Sequence, residues 1–177
     1  TFADANRRRP ASFYDALFQQ VYRRCRPWAP KHKFAFKNKL YSLDASVVKL
    51  CLTLFPWASY RRTKAGVKLQ VLLDHDGYLP AFLDLSAARA HEITRARGLC
   101  LPKGSIVAMD LGYIDYAWFR SLTEQGIFFV TRQKKNADYR VVERRAVDKK
   151  SGVSCDQIIE LTGPKGAKCP HPLRRVG

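Results

Sequence analysis

The run Ser105 to Tyr113, Ser-Ile-Val-Ala-Met-Asp-Leu-Gly-Tyr, constrains the fold more than any other stretch. Ile106 to Met109 is a short, nearly unbroken apolar run, as carried by central parallel strands whose two faces are both covered. It ends on a carboxylate, Asp110, and Gly112 lets the chain turn before a helical pattern opens near Tyr113. In open α/β sheets ligands sit beyond the carboxyl ends of the strands, where this reading puts Asp110. An aspartate there also suits a helix N-cap, and the run alone supports the two readings evenly.

The neighbouring periodicities supply a sheet for this strand. Leu40 to Val48 reads as a first core strand with one acid, Asp44, among apolar and small residues. Val67, Leu69, Val71 and Leu73 alternate with Lys68, Gln70 and Leu72, which predicts a second strand. Asp76-Gly77 is a hairpin signal, and Tyr78 to Leu85 is the return strand, with Pro80 marking an irregularity or an edge. Ser86 is placed to cap a helix over Ala87 to Arg97, stopped by Gly98. Ile114, Trp118 and Leu122 mark a helix face ended by Gly126, and Ile127 to Thr131 reads as another buried strand.

The order is strand, strand, strand, helix, strand, helix, strand, an α/β arrangement. The first three strands form an antiparallel meander, and the helix from Ser86 serves as a crossover. If the Ile106 strand then lies beside the Leu40 strand and parallel to it, Asp44 and Asp110 project at neighbouring positions.

The flanks differ from this centre. Arg7-Arg8-Arg9-Pro10 reads as a basic arm. Ser12, with Asp15 three residues on, starts a helix on which Phe13, Leu17, Val21 and Cys25 repeat; it is expected to pack on the core and to end at Pro27 and Pro30. Lys31 to Lys39 interleaves lysines with Phe34 and Phe36, which suits a nucleic-acid backbone with rings available for stacking and equally suits a two-faced strand. Beyond Thr131, Arg132 to Asn136 is a basic turn. Tyr139 to Val147 and Gln157 to Leu161 then read as strands of a new basic, β-rich segment, with a turn at Gly163 to Gly166. The organisation expected is a basic arm and helix over 1–38, a core over 39–131 and the start of a β-rich insertion over 132–177.

Charge narrows the function. The chain carries 32 basic and 15 acidic residues for a net +17 over 177 residues, and both flanks are more basic than the centre: +7 over 1–38, +3 over 39–130 and +7 over 131–177. Basic flanks on a globular core point to a polyanion, most often nucleic acid, against the plain alternative of a solvated surface. A hydrophobic content of 46% excludes a disordered chain. No apolar run approaches the ~20 residues of a bilayer-spanning helix, and the N-terminus lacks a signal peptide's apolar segment, so no membrane partner is expected. Cys25, Cys51, Cys100, Cys155 and Cys169 form no Cys-x2-Cys pair, which fits reduced thiols in a cytosolic setting. Cys155, Cys169 and His171 match no usual zinc spacing.

Two carboxylates held close together repel, and a divalent cation between them removes the conflict. Mg²⁺ takes one or two carboxylates with waters and substrate phosphates, and paired ions serve phosphoryl transfer. A basic protein with paired acids at strand ends therefore suggests a metal-dependent nucleic-acid enzyme.

At this point the chain resembles a known family. Ser42-Leu43-Asp44-Ala45-Ser46, Arg61 to Leu73 with Gly66-Val67-Lys68-Leu69, Gly77-Tyr78-Leu79-Pro80, His91-Glu92 and Asp110-Leu111-Gly112-Tyr113 occur in the order found in DDE-type transposases of bacterial insertion sequences. The resemblance covers about residues 1–150 and implies a ribonuclease-H-like mixed sheet, incomplete in this chain. It further implies DNA transposition by strand cleavage and strand transfer, with Asp44 and Asp110 as catalytic ligands of Mg²⁺, or of Mn²⁺. Lys68 matches a family position next to the site. Lys68, Arg61, Arg62, Lys64, Arg7, Arg8 and Arg9 become candidate phosphate contacts, each with the alternative of a solvated charge. The implied partners are double-stranded DNA at the element's ends and target and a second copy of the full-length protein on DNA; the implied location is the bacterial cytoplasm, at the nucleoid.

One departure stands out. The family's third acid lies in a Tyr-x2-Arg-x3-Glu-x6-Lys motif on a helix after the insertion. Here Glu143 follows Tyr139 by four residues rather than seven, in a strand-like pattern that reads as an exposed strand position. The family also commonly has aspartate where this chain has Glu92. The chain is therefore expected to be the N-terminal part of the enzyme, stopping inside the insertion and inactive alone. A nuclease of the same fold and a binding module without chemistry are the rival readings.

Overall fold

The computed structural model describes every residue except 52, 54–57, 62–63, 89–90, 149 and 151, and at residues 59–61, 64 and 92 the backbone alone. The chain divides into two compact units, Thr1–Ala88 and Arg89–Gly177.

The first unit is an antiparallel sheet preceded by helices. Strand β1 (Leu40–Leu50) pairs with β3 (Lys64–Asp74) in unbroken register from Tyr41 opposite Asp74 to Leu50 opposite Ala65. The short β2 (Ser59–Arg61) pairs with the start of β3. Strand β4 (Leu79–Ala87) also pairs with β3, and the register shifts where Leu73 meets Pro80. Proline cannot donate to the ladder, so an irregularity at this position is the expected one.

Burial in β3 runs against its hydropathy. Lys68, Gln70, Leu72 and Asp74 are buried, whereas Val67, Leu69, Val71 and Leu73 on the other face are half-buried. The buried face also carries Tyr41 and Leu43 of β1. It is the face whose acids at the hairpin are bound by the N-terminal segment, through Tyr22, Lys31 and Lys39.

The N-terminal helices correct three expectations. Arg7 and Arg8 lie not in an arm but in the last turn of α1 (Phe2–Arg8), which Thr1 and Asp4 close with a reciprocal capping box. The next helix, α2 (Ala11–Cys25), is capped at Pro10 with no side-chain bond, so Ser12 is inside the helix and not its cap. Proline pre-sets the extended φ of that position, and Phe13 N donates to Pro10 O at 3.0 Å. Helix α2 buries none of its residues fully: Phe13, Leu17 and Val21 stay about half exposed, Phe18 and Tyr22 are half-buried, and Tyr22 bonds to Asp74 of the sheet.

The helix expected from Ser86 is also corrected. Ser86 and Ala87 remain in β4, opposite Lys68 and Val67, and the ladder is prolonged by Ala88 N donating to Gly66 O at 3.3 Å. Sheet pairing satisfies these backbone groups, and the helix is the short α3 (Glu92–Ala96).

The second unit contains a parallel pair. Strand β5 (Ile106–Met109) lies beside β6 (Phe128–Val130), with Ile106 opposite Phe128 and Ala108 opposite Val130. Between them a 3₁₀ turn (Leu111–Tyr113) leads to α4 (Tyr116–Glu124). Asp115 caps α4 by accepting from Trp118 N at 2.8 Å and holds Arg97 at 2.6 Å. Val107, Met109, Tyr113, Trp118, Phe119, Leu122 and Ile127 are buried, and Phe119 stacks on Phe129 at 4.3 Å. Two strands expected to be covered on both faces are not. Ile106 and Ala108 are half-buried, and Phe128 and Val130 are 59% and 60% exposed.

The same unit carries a three-stranded antiparallel sheet of β7 (Tyr139–Arg145), β8 (Asp156–Leu161) and β9 (Leu173–Val176). Gly163–Gly166 is a single helical turn, α5, with Pro164 in its first turn. The strand β9 has no counterpart in the sequence reading, because four residues with two arginines show no usable alternation.

Candidate metal and nucleic-acid sites

Asp110 stands at the carboxyl end of β5 with its side chain exposed. Its Oδ1 accepts from Gly112 N at 2.8 Å, so the capping reading is correct as local structure. One such bond leaves a carboxylate with further acceptor sites. Its backbone oxygen accepts from Thr131 Oγ1 at 3.2 Å, which ties the ends of β5 and β6.

Asp44 lies in mid-strand, since β1 runs on to Leu50, and it faces Val71 of β3. Its side chain is exposed. Both acids are therefore open to water, and neither bears the cost of an unpaired charge buried among apolar side chains. Leu83 and Leu85 on the same face as Asp44 are 43% and 67% exposed.

The candidate cations fall into three groups. Arg7, Arg8 and Arg9 are exposed, and the Arg9 guanidinium stands 5.2 Å over the Phe13 ring. Lys68 is 9% exposed and lies opposite Val47 of β1 and Ser86 of β4. Residues directly opposite share a face and neighbours alternate, so Lys68 and Asp44 project from opposite faces of the sheet. Arg61 and Lys64 pair through their backbones at the β2–β3 ladder, and Arg62 lies outside the described residues.

Glu143 lies exposed in β7 and pairs with Arg145 at 3.2 Å, in accord with its reading as a strand residue. Among the described residues no group of three or more His, Cys, Asp or Glu could hold a metal ion. No helix of the described chain is long and apolar enough to cross a membrane.

The most heavily connected polar cluster was not foreseen from the sequence. At the β3–β4 hairpin Asp74 and Asp76 are 1% and 4% exposed. Lys39 Nζ reaches Asp74 at 2.5 Å and Asp76 at 3.1 Å, and Lys31 reaches Asp76 at 3.0 Å. His32 N donates to Asp76 Oδ1 and Asp76 N donates to Asp74 Oδ1, each at 3.0 Å, while the Tyr22 hydroxyl donates to Asp74 at 3.2 Å. Burial pushes the Asp76 carboxyl up, but the His32 amide, Lys31 and Lys39 outweigh it and hold the group well below the usual carboxylate range. Burial, with the Asp74 charge, pushes the Tyr22 and Tyr41 hydroxyls up to about 12. The sequence signal was Asp76-Gly77, read as a hairpin turn alone. Asp74 and Asp76 are structural: Tyr22, Lys31, His32 and Lys39 tie the hairpin to the segment ahead of β1, and the Asp76 amide closes the turn on Asp74.

A parallel strand pair that ends on an exposed aspartate, an antiparallel meander that carries a second one and a strongly basic chain place the molecule among the mixed α/β proteins. The chain belongs to the transposase DDE domain family, whose model matches residues 35–162 and spans both aspartates. The mixed α/β fold accords with the ribonuclease-H-like domain of that family. A Sinorhizobium fredii protein named "Putative transposase y4zB" is 29% identical over 178 residues, covering 98% of this chain and 49% of that protein. A Geobacillus stearothermophilus protein named "Probable transposase for insertion sequence element IS5377" is 23% identical over 145 residues, covering 82% of this chain and 38% of that protein. The chain thus spans half or less of the length of these relatives. No solved structure matches it.

Proposed function

We propose that this chain is part of an insertion-sequence transposase that cleaves DNA at the element's ends and joins the freed 3′-hydroxyl to target DNA. The observation that carries the reading is the family match over residues 35–162, inside which both Asp44 and Asp110 fall. In this reading the two carboxylates are metal ligands. Their chemistry fits: both are exposed oxygen donors, and a hard cation such as Mg²⁺ accepts one or two carboxylates and completes its shell with water and phosphate oxygens. When bound, such an ion polarises a phosphoryl oxygen and lowers the pKa of a water.

The chain's own residues then have separable roles. Asp110, fixed by its bond to Gly112 N, presents a carboxylate whose direction does not depend on the ligand. Arg7, Arg8 and Arg9 contribute positive charge along the DNA backbone. Lys68, buried in β3, acts from within the sheet and not as an open phosphate contact. In this reading the chain by itself neither nicks nor joins DNA, because the Tyr-x2-Arg-x3-Glu-x6-Lys motif that carries the family's third acid does not occur in its sequence. The full enzyme works on double-stranded DNA as a homodimer in the bacterial cytoplasm.

A strand-transfer assay tests the reading. The reading frame containing this chain, extended to the length of its relatives, should release a 3′-hydroxyl end and insert it into a target plasmid in Mg²⁺. Cutting without joining would make it a nuclease, and neither activity in any divalent ion would remove the enzymatic reading.

A further inference from the structure

The aromatic residues around the β3–β4 hairpin have no place in the chemistry above, and they are not arranged as a core. Phe34 and Phe36 stack with ring centroids 5.5 Å apart and planes 7° from parallel. Phe34 meets His75 edge-on at 6.0 Å, and His75 meets Tyr78 at 5.7 Å. The row is open to solvent: Phe34 is 51% exposed, Phe36 38% and Tyr78 68%. A shallow cavity of about 330 Å³ runs along it, bounded by Lys31, His32, Lys33, Phe34, His75 and Tyr78.

Two features show that the row is held in place. Gly77, at φ +70°, lies so close to Ala29 that an added Cβ would stand 2.7 Å from the Ala29 Cβ, so the segment carrying Phe34 is seated on the hairpin. Tyr78 is the one described non-glycine residue with positive φ, at 53°. An exposed tyrosine in a conformation that costs ~1 kcal/mol or more outside glycine is a ring kept at some expense to the backbone.

The surroundings are cationic. Between Arg23 and Lys39 the sequence has seven basic residues and no acidic one. Lys31 and Lys39 are engaged by Asp76 and Asp74, whereas Lys33 and Lys37 are exposed and carry no ion pair among the described residues. Exposed rings interleaved with cations match the way unpaired bases are bound, each base stacking on a ring while lysines follow the phosphates. A duplex hides its base faces, so it offers this row nothing to stack on.

We propose that the Phe34–Tyr78 row is a stacking platform for unpaired bases of single-stranded DNA, with Lys33 and Lys37 as its phosphate contacts. The site lies wholly in the first unit and uses neither Asp44 nor Asp110, so failure of the cleavage assay would leave it standing.

The test is fluorescence anisotropy of the purified chain with a fluorescein-labelled oligothymidylate of about twenty residues and with a duplex of equal length, over a range of NaCl. Phe34→Ala and Tyr78→Gly should each weaken oligothymidylate binding about 5- to 100-fold, the usual effect of removing one stacking ring, with duplex affinity within about twofold. Tyr78→Phe should bind as the native chain does. Lys33→Ala with Lys37→Ala should reduce the single-strand salt slope by about 1.4, whereas the ring variants leave it unchanged. Glycine suits the backbone at position 78, so Tyr78→Gly decides the matter even if Phe34→Ala unfolds. Native oligothymidylate affinity in Tyr78→Gly, or an equal loss for single strand and duplex, would overturn the proposal. So would a change of oligomeric state without a change in DNA binding.

Discussion

Asp44 and Lys68 leave the same pair of strands on opposite faces. Asp44 stands opposite Val71 and is exposed, whereas Lys68 stands opposite Val47 and is almost wholly buried. In a chain with 32 basic residues, burial is what distinguishes this lysine from the surface charges.

Lys68 is therefore expected to matter for stability more than for DNA affinity. Lys68→Ala should lower unfolding free energy by about 1–2 kcal/mol, because a buried stem and its charge are both removed. Duplex affinity should change less than twofold. Urea unfolding and anisotropy on the same variant separate the two effects.

The exposed arginines should behave in the reverse way. Replacing Arg7, Arg8 and Arg9 together by alanine should reduce the slope of log affinity against log salt for duplex DNA by up to about 2.7, since each neutralised phosphate contributes about 0.9. Melting temperature should hardly move, because helix α1 buries no residue. An unchanged slope would return these three cations to the solvated surface.

The Asp76 network predicts an acid limb. A carboxyl held low in the native state contributes stability above its unfolded value near 4, and that contribution is lost as pH falls through the native value. Asp76→Asn should cost about 3 kcal/mol at neutral pH, since it leaves Lys39 and Lys31 short of a buried partner. The gap between the two proteins should persist from pH 7 to about pH 4 and narrow below it. Lys39, held above its ordinary range by Asp74 and Asp76 despite burial, contributes at every pH in that span and loses its effect only in strong alkali. Denaturant unfolding at a series of pH values reads both.

The same network delays two tyrosines. Of the eight tyrosines, Tyr22 and Tyr41 should ionise near pH 12, where burial and the Asp74 charge hold them. Because the native values are raised, the stabilisation is present below pH 10 and is lost as pH rises towards 12. Absorbance at 295 nm after rapid pH jumps should show this late fraction, and Asp74→Asn should move it towards 10. A single transition near 10 would count against the network.

The sheet, the Asp76-Gly77 hairpin and the strand–turn–helix around Asp110 were legible because each rests on local chemistry: alternation, turn residues and a cap. What failed was decided at longer range. Ser86 looks like a cap, but β3 offers Ser86 and Ala87 a ladder, and sheet pairing wins. Phe13, Leu17 and Val21 have helical spacing, yet spacing does not supply a surface to bury them against. The alternation in β3 announced a strand but not that its polar side faces inward; that depends on Lys39, 35 residues from its partner Asp74 in sequence. Asp44 and Asp110 are proposed from position and family pattern, whereas Asp74 and Asp76, which the N-terminal segment binds, carried no signal beyond a turn.

Mn²⁺ binding followed by electron paramagnetic resonance tests most directly whether Asp44 and Asp110 are the metal-binding acids. At millimolar protein the chain should take up Mn²⁺ weakly, since two carboxylates hold such an ion loosely. Asp44→Asn and Asp110→Asn should each abolish that uptake while leaving circular dichroism and duplex binding intact; asparagine at 110 still caps the turn. Native-level Mn²⁺ uptake in either variant would contradict the account and remove that residue from the metal site.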